Sequence, residues 1–581
     1  MSAAVERQPR KPISGFAMVL GYLGIFMMLI GVITALPLLF SFYPGESACF
    51  IDFLIPVAFD VIVGAVLYFC FAFRRKPGRF VRYEDSMLLM LIWILAIVSG
   101  ASPFFIASLR GGMDMSFTEA MFESASGYST TGLTIFRDYI DAADAYCPHV
   151  FAFHRSLLQF IGGVGFVLLL ASLLGGNSSM TLFQTEGHND RILANLSQTA
   201  KIIFGIYLGY TFLGTFALWF AGMPLFDALC TSMCAISGGG MSPRSTNIYY
   251  YRAFQEAYPG MAISGEVSGD IFPSPFPVHS LVIEIIVMIL VIFSAISFLL
   301  HTFLLTGKWK QFFRDDEVRF ALLNGIIAIV VSLAGAFATV WVNTGNPFTN
   351  WGTTTRDTVF YVVGSFTNSG FSNTGLKSMI DLGKPFFFVA VILMLIGGGA
   401  GSCAGAIKQY RMVVMFKELW HSLVYRFAPS RQLIPKTVYH YGKEKDLDQD
   451  MVSEAFNYAF LFLLIFIISN ALLSFVPPWE DGLGVSAVNL ETNAFNIASA
   501  MSNTGLSGFD LLGYKQYLGT VGYGGYYAYY LWVLVADMLL GRLEIMPFIY
   551  MIRNIVEETG YARAKRLAKE EAARTSELLD A

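Results

Sequence analysis

Apolar runs of about 20 residues recur along the whole chain, separated by short polar stretches. A helix needs roughly 20 apolar residues to cross the hydrocarbon core of a bilayer. The pattern predicts ten spans, at 14–41, 50–73, 86–108, 150–175, 200–222, 278–305, 317–343, 385–417, 451–476 and 524–553. Membrane barrel strands would instead alternate apolar and polar residues in segments of about 10. Four further apolar stretches, FTEAMFESAS, LFDALCTSMCA, DTVFYVVGS and TNAFNIASAM, lie between pairs of the later spans and are too short to cross. The expected fold class is an all-α polytopic membrane protein.

Each short stretch runs into the same small-residue pattern. Four segments align without gaps on a glycine: Ser129-Thr130-Thr131-Gly132-Leu133-Thr134, Ser237-Gly238-Gly239-Gly240-Met241-Ser242, Thr367-Asn368-Ser369-Gly370-Phe371-Ser372 and Ser502-Asn503-Thr504-Gly505-Leu506-Ser507. The glycines are 108, 130 and 135 residues apart. The repeating unit is span, half-helix, glycine loop, span. It divides the chain into residues 1–85 with an additional pair of spans, pore repeats at 86–175, 200–305, 317–417 and 451–553, and a tail at 554–581. Four surface loops alike by chance is the plainer reading, but apolar half-helices have no reason to precede solvated loops.

Bare backbone cannot face lipid, because unsatisfied polar groups there cost several kcal/mol each. It is tolerated where it lines a water-filled path. Glycine permits positive φ, so the carbonyls of such a loop can turn the same way. Four loops around an axis then make rings of oxygens that replace the hydration shell of a cation, and the hydroxyls of Ser129, Ser237, Thr367 and Ser502 could add a layer. The negative C-terminal ends of the half-helices would favour a cation at the bilayer centre. Ser116 and Glu119 have the spacing of a capping box, which predicts a helix starting near Phe117.

Composition agrees with this picture. The chain has 581 residues, of which 55% are hydrophobic and 14% charged, with a mean hydropathy of +0.57, too little polar surface for a soluble domain of that size. Lys and Arg gather at the start, in 71–85, 176–201, 306–319 and 408–450, and after 542, which predicts that both termini are cytoplasmic. On the opposite side acids outnumber bases, which would raise the local cation concentration. The six cysteines form no zinc or redox spacing; Cys230 and Cys234 read as buried small hydrophobes. Asp60, Glu284 and Asp537 are acids inside spans and are functional candidates on that ground alone, although a helix-packing hydrogen bond suits Asp60 better.

Two further features fall below the expected filter. Gly397, Gly398, Gly399, Gly401 and Gly405 interrupt the span at 385–417. Close helix packing would explain small residues there, but glycine costs a helix about 1 kcal/mol each relative to alanine. They predict a loop across the path that obstructs permeation when closed. Arg542 lies a dozen residues before the basic end of the last span. A snorkelling side chain is one reading, and a cavity-facing barrier to cations, paired with the loop, is the favoured one. Glu544 reads as a structural partner rather than an ion ligand.

With these motifs the chain resembles the Trk/Ktr/HKT superfamily of potassium transporters, and most closely its TrkH branch, over nearly all of residues 86–553. The pair of spans at 14–73 looks like the additional pair of that branch. Gly162-Gly163-Val164-Gly165, the stretch IGGGAGSCAGAIK at 396–408 and GRLEIMP at 541–547 resemble the family's glycine cluster, intramembrane gating loop and last-span signature. Three departures are noted: a second filter with one extra glycine, and Cys403 and Ala406 where glycine or serine is more usual. The resemblance implies potassium as the transported ion, since Gly132 stands where sodium-favouring relatives carry serine. It also implies a homodimer seated on a TrkA-like cytosolic nucleotide-binding subunit, in the inner membrane of a bacterium. No phosphate-cradling loop is visible in this chain, so any nucleotide would be held by the partner; no covalent cofactor, no enzyme activity and no nucleic-acid contact are expected. The competing readings are a sodium or low-selectivity cation transporter, a small-molecule secondary transporter, which would show two inverted halves, and a membrane enzyme, which would need a catalytic cluster that the seven histidines do not supply.

Overall fold

In the computed structural model the described residues are 16–43, 45–73, 84–136, 148–165, 196–264, 272–374, 382–427, 436–480 and 487–543, with 545, 548, 549 and 553. They are almost wholly helical, with two short antiparallel strand pairs, Thr437–His440 with Lys443–Asp446 and Trp479–Glu480 with Ala487–Val488. Residues 554–581, residues 166–195 and Glu544 lie outside the described residues.

Among the described residues six helices are long and apolar enough to cross a membrane, or seven if one bent pair counts as a span. The first two, Phe16–Ala35 and Cys49–Leu67, each continue as a short stretch of altered pitch and pack against one another. Their crossing is at Gly24 and Gly64: a Cβ on either would sit 2.7 Å from the other's carbonyl oxygen. Small residues let helix backbones approach where lipid supplies no hydrophobic drive for association.

In three other expected spans the described helix stops inside the apolar run; residues 166–175 of the first lie outside the described residues, and Ile545, Phe548 and Ile549 of the last are again helical. His149–Val164 ends at Gly165 with φ 86°, Lys384–Ile396 ends at Gly397 with φ 74°, and Gly524–Arg542 ends at Leu543. The expected continuous span at 278–305 is a correction: it is two helices, Ser280–Ala295 and Phe298–Leu305, bent by 113° at the break. Hydropathy cannot register such a break, because the residues on both sides are apolar. What makes it possible is a neighbour that takes the freed backbone groups. Ala295 O accepts from Gly399 N at 2.8 Å, Ser294 O accepts from Cys403 N at 3.3 Å, and Phe298 N donates to Gly401 O at 3.5 Å. Irregular backbone at membrane depth survives when protein satisfies it in this way.

The four half-helices are Phe117–Tyr128, Leu225–Ile236, Trp351–Thr367 and Leu490–Met501. Ser116 and Glu119 close the first with the expected capping box, and Asn489 with Thr492 closes the fourth in the same way. Their C-terminal halves are almost wholly buried, and the polar loops that follow are buried as well.

Candidate filter and gate

The four loops converge. A Cβ added to Gly132 would lie 2.8 Å from Gly240 N, and one on Gly240 would collide with the backbone of Gly370. One on Gly370 would lie 2.6 Å from Thr504 O and 3.0 Å from Gly505 Cα, and one on Gly505 would collide with Thr131 O and come within 2.9 Å of Gly132 Cα. The contacts run from repeat one through four and back to one. Four equivalent glycines therefore form a closed ring in which no position has room for a side chain.

The positive φ that glycine permits is used at only two of the four. Gly132 and Gly505 have it, at 92° and 91°; Gly240 and Gly370 do not. In all four loops the left-handed residue is the second of the motif: Thr130 (φ 62°), Gly238 (72°), Asn368 (56°) and Asn503 (58°). That position ends the half-helix, where a left-handed residue is common and glycine or asparagine costs least. Gly240 and Gly370 are needed for close approach alone. The extra glycine of the second loop also has a cause. A Cβ on Gly239 would run into Gln159, whose Oε1 accepts Met241 N at 3.2 Å.

Hydrogen bonds stitch neighbouring loops together. Asn368 Nδ2 donates to Ser502 O at 2.6 Å, Asn503 Nδ2 to Thr131 Oγ1 at 3.0 Å, and Ser369 Oγ to Gly239 O at 3.1 Å. Gly240 O accepts from Asn247 Nδ2 at 2.8 Å. The two asparagines are thus clasps between loops. Carbonyls that already accept one bond keep a second lone pair. The hydroxyls of Ser237 and Thr367 donate back to Cys234 O and Val363 O, both at 2.8 Å, while Ser129 and Ser502 pair with Thr131 and Thr504 at 2.7 and 2.6 Å.

Buried charge pairs brace the loops, and sequence reading had passed them over. Arg155 Nε meets Glu123 at 2.7 Å, and its other nitrogens reach Thr134 Oγ1 at 2.8 Å and Ser242 O at 3.1 Å. Arg244 meets Asp227 at 2.9 Å, Arg252 meets Asp357 at 2.7 Å, and Lys515 meets Glu119 at 2.6 Å. The signal was available: Glu119, Asp227 and Asp357 each stand thirteen residues before their glycine. Of the intramembrane acids, Glu284 is held by Arg356 through bonds of 2.7 and 2.8 Å, Asp60 takes a hydrogen bond from Ser99, and Asp537 takes one from Ser469 at 2.7 Å. Asp60 is thus engaged as the sequence suggested. A cavity of about 170 Å³ opens on one side of the ring, lined by the glycines, by Thr134, Ser242 and Ser507, and by Arg155 and Arg244. Each arginine has a carboxylate partner, so the mouth is not left with two bare positive charges.

On the other side lies the segment 397–408. It leaves its helix at Gly397 and returns to helix at Gln409–Phe427. It is bonded throughout: Lys408 N to Ile396 O at 2.9 Å, Gln409 Nε2 to Gly397 O at 2.7 Å, and Ala400 N to Glu317 Oε1 at 2.6 Å. It packs directly under the filter loops. Cβ atoms on Gly397 and Gly405 would lie 3.5 Å from Asn368 Nδ2 and 2.5 Å from Asn503 Oδ1. Arg542 joins this segment to repeat one. Its guanidinium donates to Cys403 O and to Gly162 O, and to Gly163 O at 3.2 Å. Cys403 Sγ also points to Gly163 O, at 3.3 Å. Between them remains a cavity of only about 40 Å³, bordered by Gly163, Gly165, Ser402, Lys408 and Arg542. The expected filter glycines, loop glycines and Arg542 are thus brought to one place.

A family model described as a cation transport protein, TrkH, matches residues 51–264 and 274–561. An uncharacterized cation transporter of Methanocaldococcus jannaschii is 28% identical over 95% of this chain and 98% of its own. The Trk system potassium uptake protein TrkH of Salmonella typhimurium is 26% identical over 84% of this chain and 88% of its own. The crystal structure of the potassium transporter TrkH from Vibrio parahaemolyticus superposes with a TM-score of 0.70, covering 92% of this chain and 98% of that one at 22% identity. The fold is therefore the helical polytopic fold that the repeats implied.

Proposed function

This chain belongs to the TrkH family of cation transport proteins, and on that premise we propose that it takes up potassium ions across the cytoplasmic membrane through the ring of Gly132, Gly240, Gly370 and Gly505. The observation that carries this reading is the closed ring itself. Four loops with no side chain at the meeting point can offer only backbone oxygen to a permeating ion, and a dehydrated monovalent cation is the ligand such oxygens suit. The C-terminal ends of four half-helices point their partial negative charge at the same region. The uptake proteins named for potassium among its relatives, and the intact first-loop glycine, favour potassium over sodium.

In this reading ions enter from the side of the larger cavity and meet the segment 397–408 after the ring. That segment and Arg542 are the gate. The guanidinium supplies a fixed positive charge in the path and, through Cys403 O and Gly162 O, ties the segment shut. Opening requires those bonds to exchange for water or for other carbonyls. A TrkA-like nucleotide-binding subunit acting on the cytoplasmic helices, and a second copy of the chain, complete the assembly. Both termini are cytoplasmic. The protein is a transporter, not an enzyme.

The test is rubidium uptake and growth at low potassium in a bacterial strain lacking its own potassium uptake systems, with and without a TrkA-like subunit, and with sodium as competitor. Rescue that excess sodium does not diminish supports the proposal. Sodium-inhibited uptake, or sodium flux of equal size, replaces it with a low-selectivity path. Arg542→Ala is expected to raise basal rubidium leak in proteoliposomes; an unchanged leak removes Arg542 from the gate.

A further inference from the structure

Outside the filter, the described residues bring three metal-ligating side chains together at the start of the helix Asp316–Thr344. Asp315, Glu317 and His440 each present a ligand atom, and these atoms lie within 4.8 Å of one another. All three residues are buried, Asp315 at 0%, Glu317 at 3% and His440 at 1% exposure. His440 ends the first strand of the hairpin Thr437–His440/Lys443–Asp446, more than a hundred residues along the chain from the acids. The meeting is therefore made by the fold.

The geometry fits an ion better than it fits direct hydrogen bonds. His440 Nδ1 stands 3.3 Å from Asp315 Oδ1 and 3.9 Å from Glu317 Oε2. Ligand atoms about 2.0–2.1 Å from a tetrahedral zinc ion are about 3.3–3.4 Å apart. Glu317 Oε2, on the side of His440 Nδ1, has no hydrogen-bond partner although it is buried, and a buried polar atom left so costs free energy. The other ligand atoms are already oriented. Asp315 Oδ1 accepts Glu317 N at 3.0 Å and its Oδ2 accepts Tyr441 N at 2.9 Å. The imidazole is stacked on Tyr410, with centroids 4.2 Å apart and planes 24° from parallel. Outer contacts of this kind fix ligands for a metal. One nitrogen and two carboxylate oxygens suit a borderline ion of the zinc class rather than an all-oxygen calcium site.

The cluster also touches the gate. Glu317 Oε1 holds Ala400 N at 2.6 Å, and Tyr441, next to His440, puts its hydroxyl 3.3 Å from Ala400 O and 2.9 Å from Ser297 Oγ. We propose that Asp315, Glu317 and His440 bind one divalent transition-metal ion of the zinc class, and that the bound ion clamps the hairpin to the segment 397–408 and holds it closed. Glu317 would serve both partners at once, Oε2 on the ion and Oε1 on Ala400. The clamp rests on the reading of 397–408 as the obstruction; the metal site does not.

The experiment uses untagged full-length protein in detergent, stripped with a chelator and dialysed against zinc, with bound metal counted by mass spectrometry. His440→Phe keeps a ring between the tyrosines and removes the ligand; Asp315→Asn keeps an acceptor for Glu317 N and removes the charge. The native chain is expected to bind one ion more than either variant, with affinity falling by no less than the roughly 10- to 100-fold that losing an outer partner costs. Equal binding by native and variant protein overturns the site. Should the variants not fold, zinc-edge absorption on the native protein decides: nitrogen and oxygen neighbours support the site, and sulfur neighbours overturn it. In proteoliposomes, zinc on the hairpin side is expected to lower rubidium flux severalfold in the native chain and not in His440→Phe. Zinc bound with flux unchanged overturns the clamp, while the rubidium flux itself continues to report on the filter.

Discussion

The loops of repeats one and four solve the same problem differently from those of repeats two and three. In the first pair the filter glycine has positive φ, and its N–H is held by a serine six residues earlier: Gly132 N by Ser126 Oγ at 3.1 Å, Gly505 N by Ser499 Oγ at 2.9 Å. In both, the residue nine before the glycine takes the N–H three after it: Glu123 takes Ile135 N at 3.2 Å and Asn496 takes Gly508 N at 2.7 Å. Repeats two and three have Cys234 and Gly364 in place of the serine, and their glycines lie outside the left-handed region. There the brace is the acid thirteen before the glycine: Asp227 holds Arg244 at 2.9 Å and Asp357 holds Asn373 Nδ2 at 3.2 Å. One consensus thus covers two backbone conformations. Contacts around the ring make one and four neighbours, and two and three neighbours, so the ring has two unlike sides rather than four equal quarters.

Alanine scanning of the ring should expose this division most strongly. At Gly132 or Gly505 an alanine meets both a collision and a backbone conformation that costs an L-residue roughly 1–2 kcal/mol or more. At Gly370 it meets the collision alone. Rubidium uptake per unit of membrane protein is expected to vanish in Gly132→Ala and Gly505→Ala, and to be retained at least in part in Gly370→Ala. Equal loss at all three would mean that space, not backbone conformation, sets the requirement.

Removing the braces gives the next largest effect. Arg155→Met strands Glu123 as a buried, uncompensated charge, a change that costs about 3–5 kcal/mol. Asn496→Leu leaves Gly508 N–H without its acceptor, while the Tyr530 hydroxyl loses the bond from Asn496 Nδ2 but keeps the one to Asn493 Oδ1, at about 1–3 kcal/mol in all. Thermal unfolding of purified protein in detergent should rank them in that order. The reverse ranking would make the neutral brace of repeat four the more important.

The smallest effect sharpens the comparison furthest. Ser126→Ala and Ser499→Ala each lose one hydrogen bond to a ring-glycine N–H, about 1 kcal/mol, and Ser126→Ala loses in addition the bond to Leu133 O at 2.6 Å. They are expected to lower rubidium-over-sodium preference severalfold, because the freed glycine can rotate its peptide. Cys234→Ala, at the matching position of repeat two, should leave that preference unchanged. A similar loss in Cys234→Ala would abolish the distinction between the two sides.

How much of this was legible beforehand differs by feature. The four glycines, the capping box at Ser116 and the interruption at 397–405 were visible because each is a local pattern with a local cause. The role of Asn368 and Asn503 was not, since a clasp to Ser502 O or Thr131 Oγ1 exists only once the loops meet. The bend at Ile296 was hidden for a related reason: the break follows from neighbouring backbone that accepts and donates the missing bonds, and hydropathy is blind to it.

The amino-acid sequence by itself determined that this chain lives in a bilayer, that it is built from four repeats, and which glycine each repeat brings to the centre. Those facts follow from the length of apolar runs and from the inability of unpaired backbone to face lipid. Only the tertiary structure decided which backbone conformation each glycine adopts, which carboxylate braces which arginine, and that Arg542 closes on Cys403 and Gly162. Such choices depend on contacts between residues hundreds of positions apart, and no short stretch of chain carries the energy that selects among them.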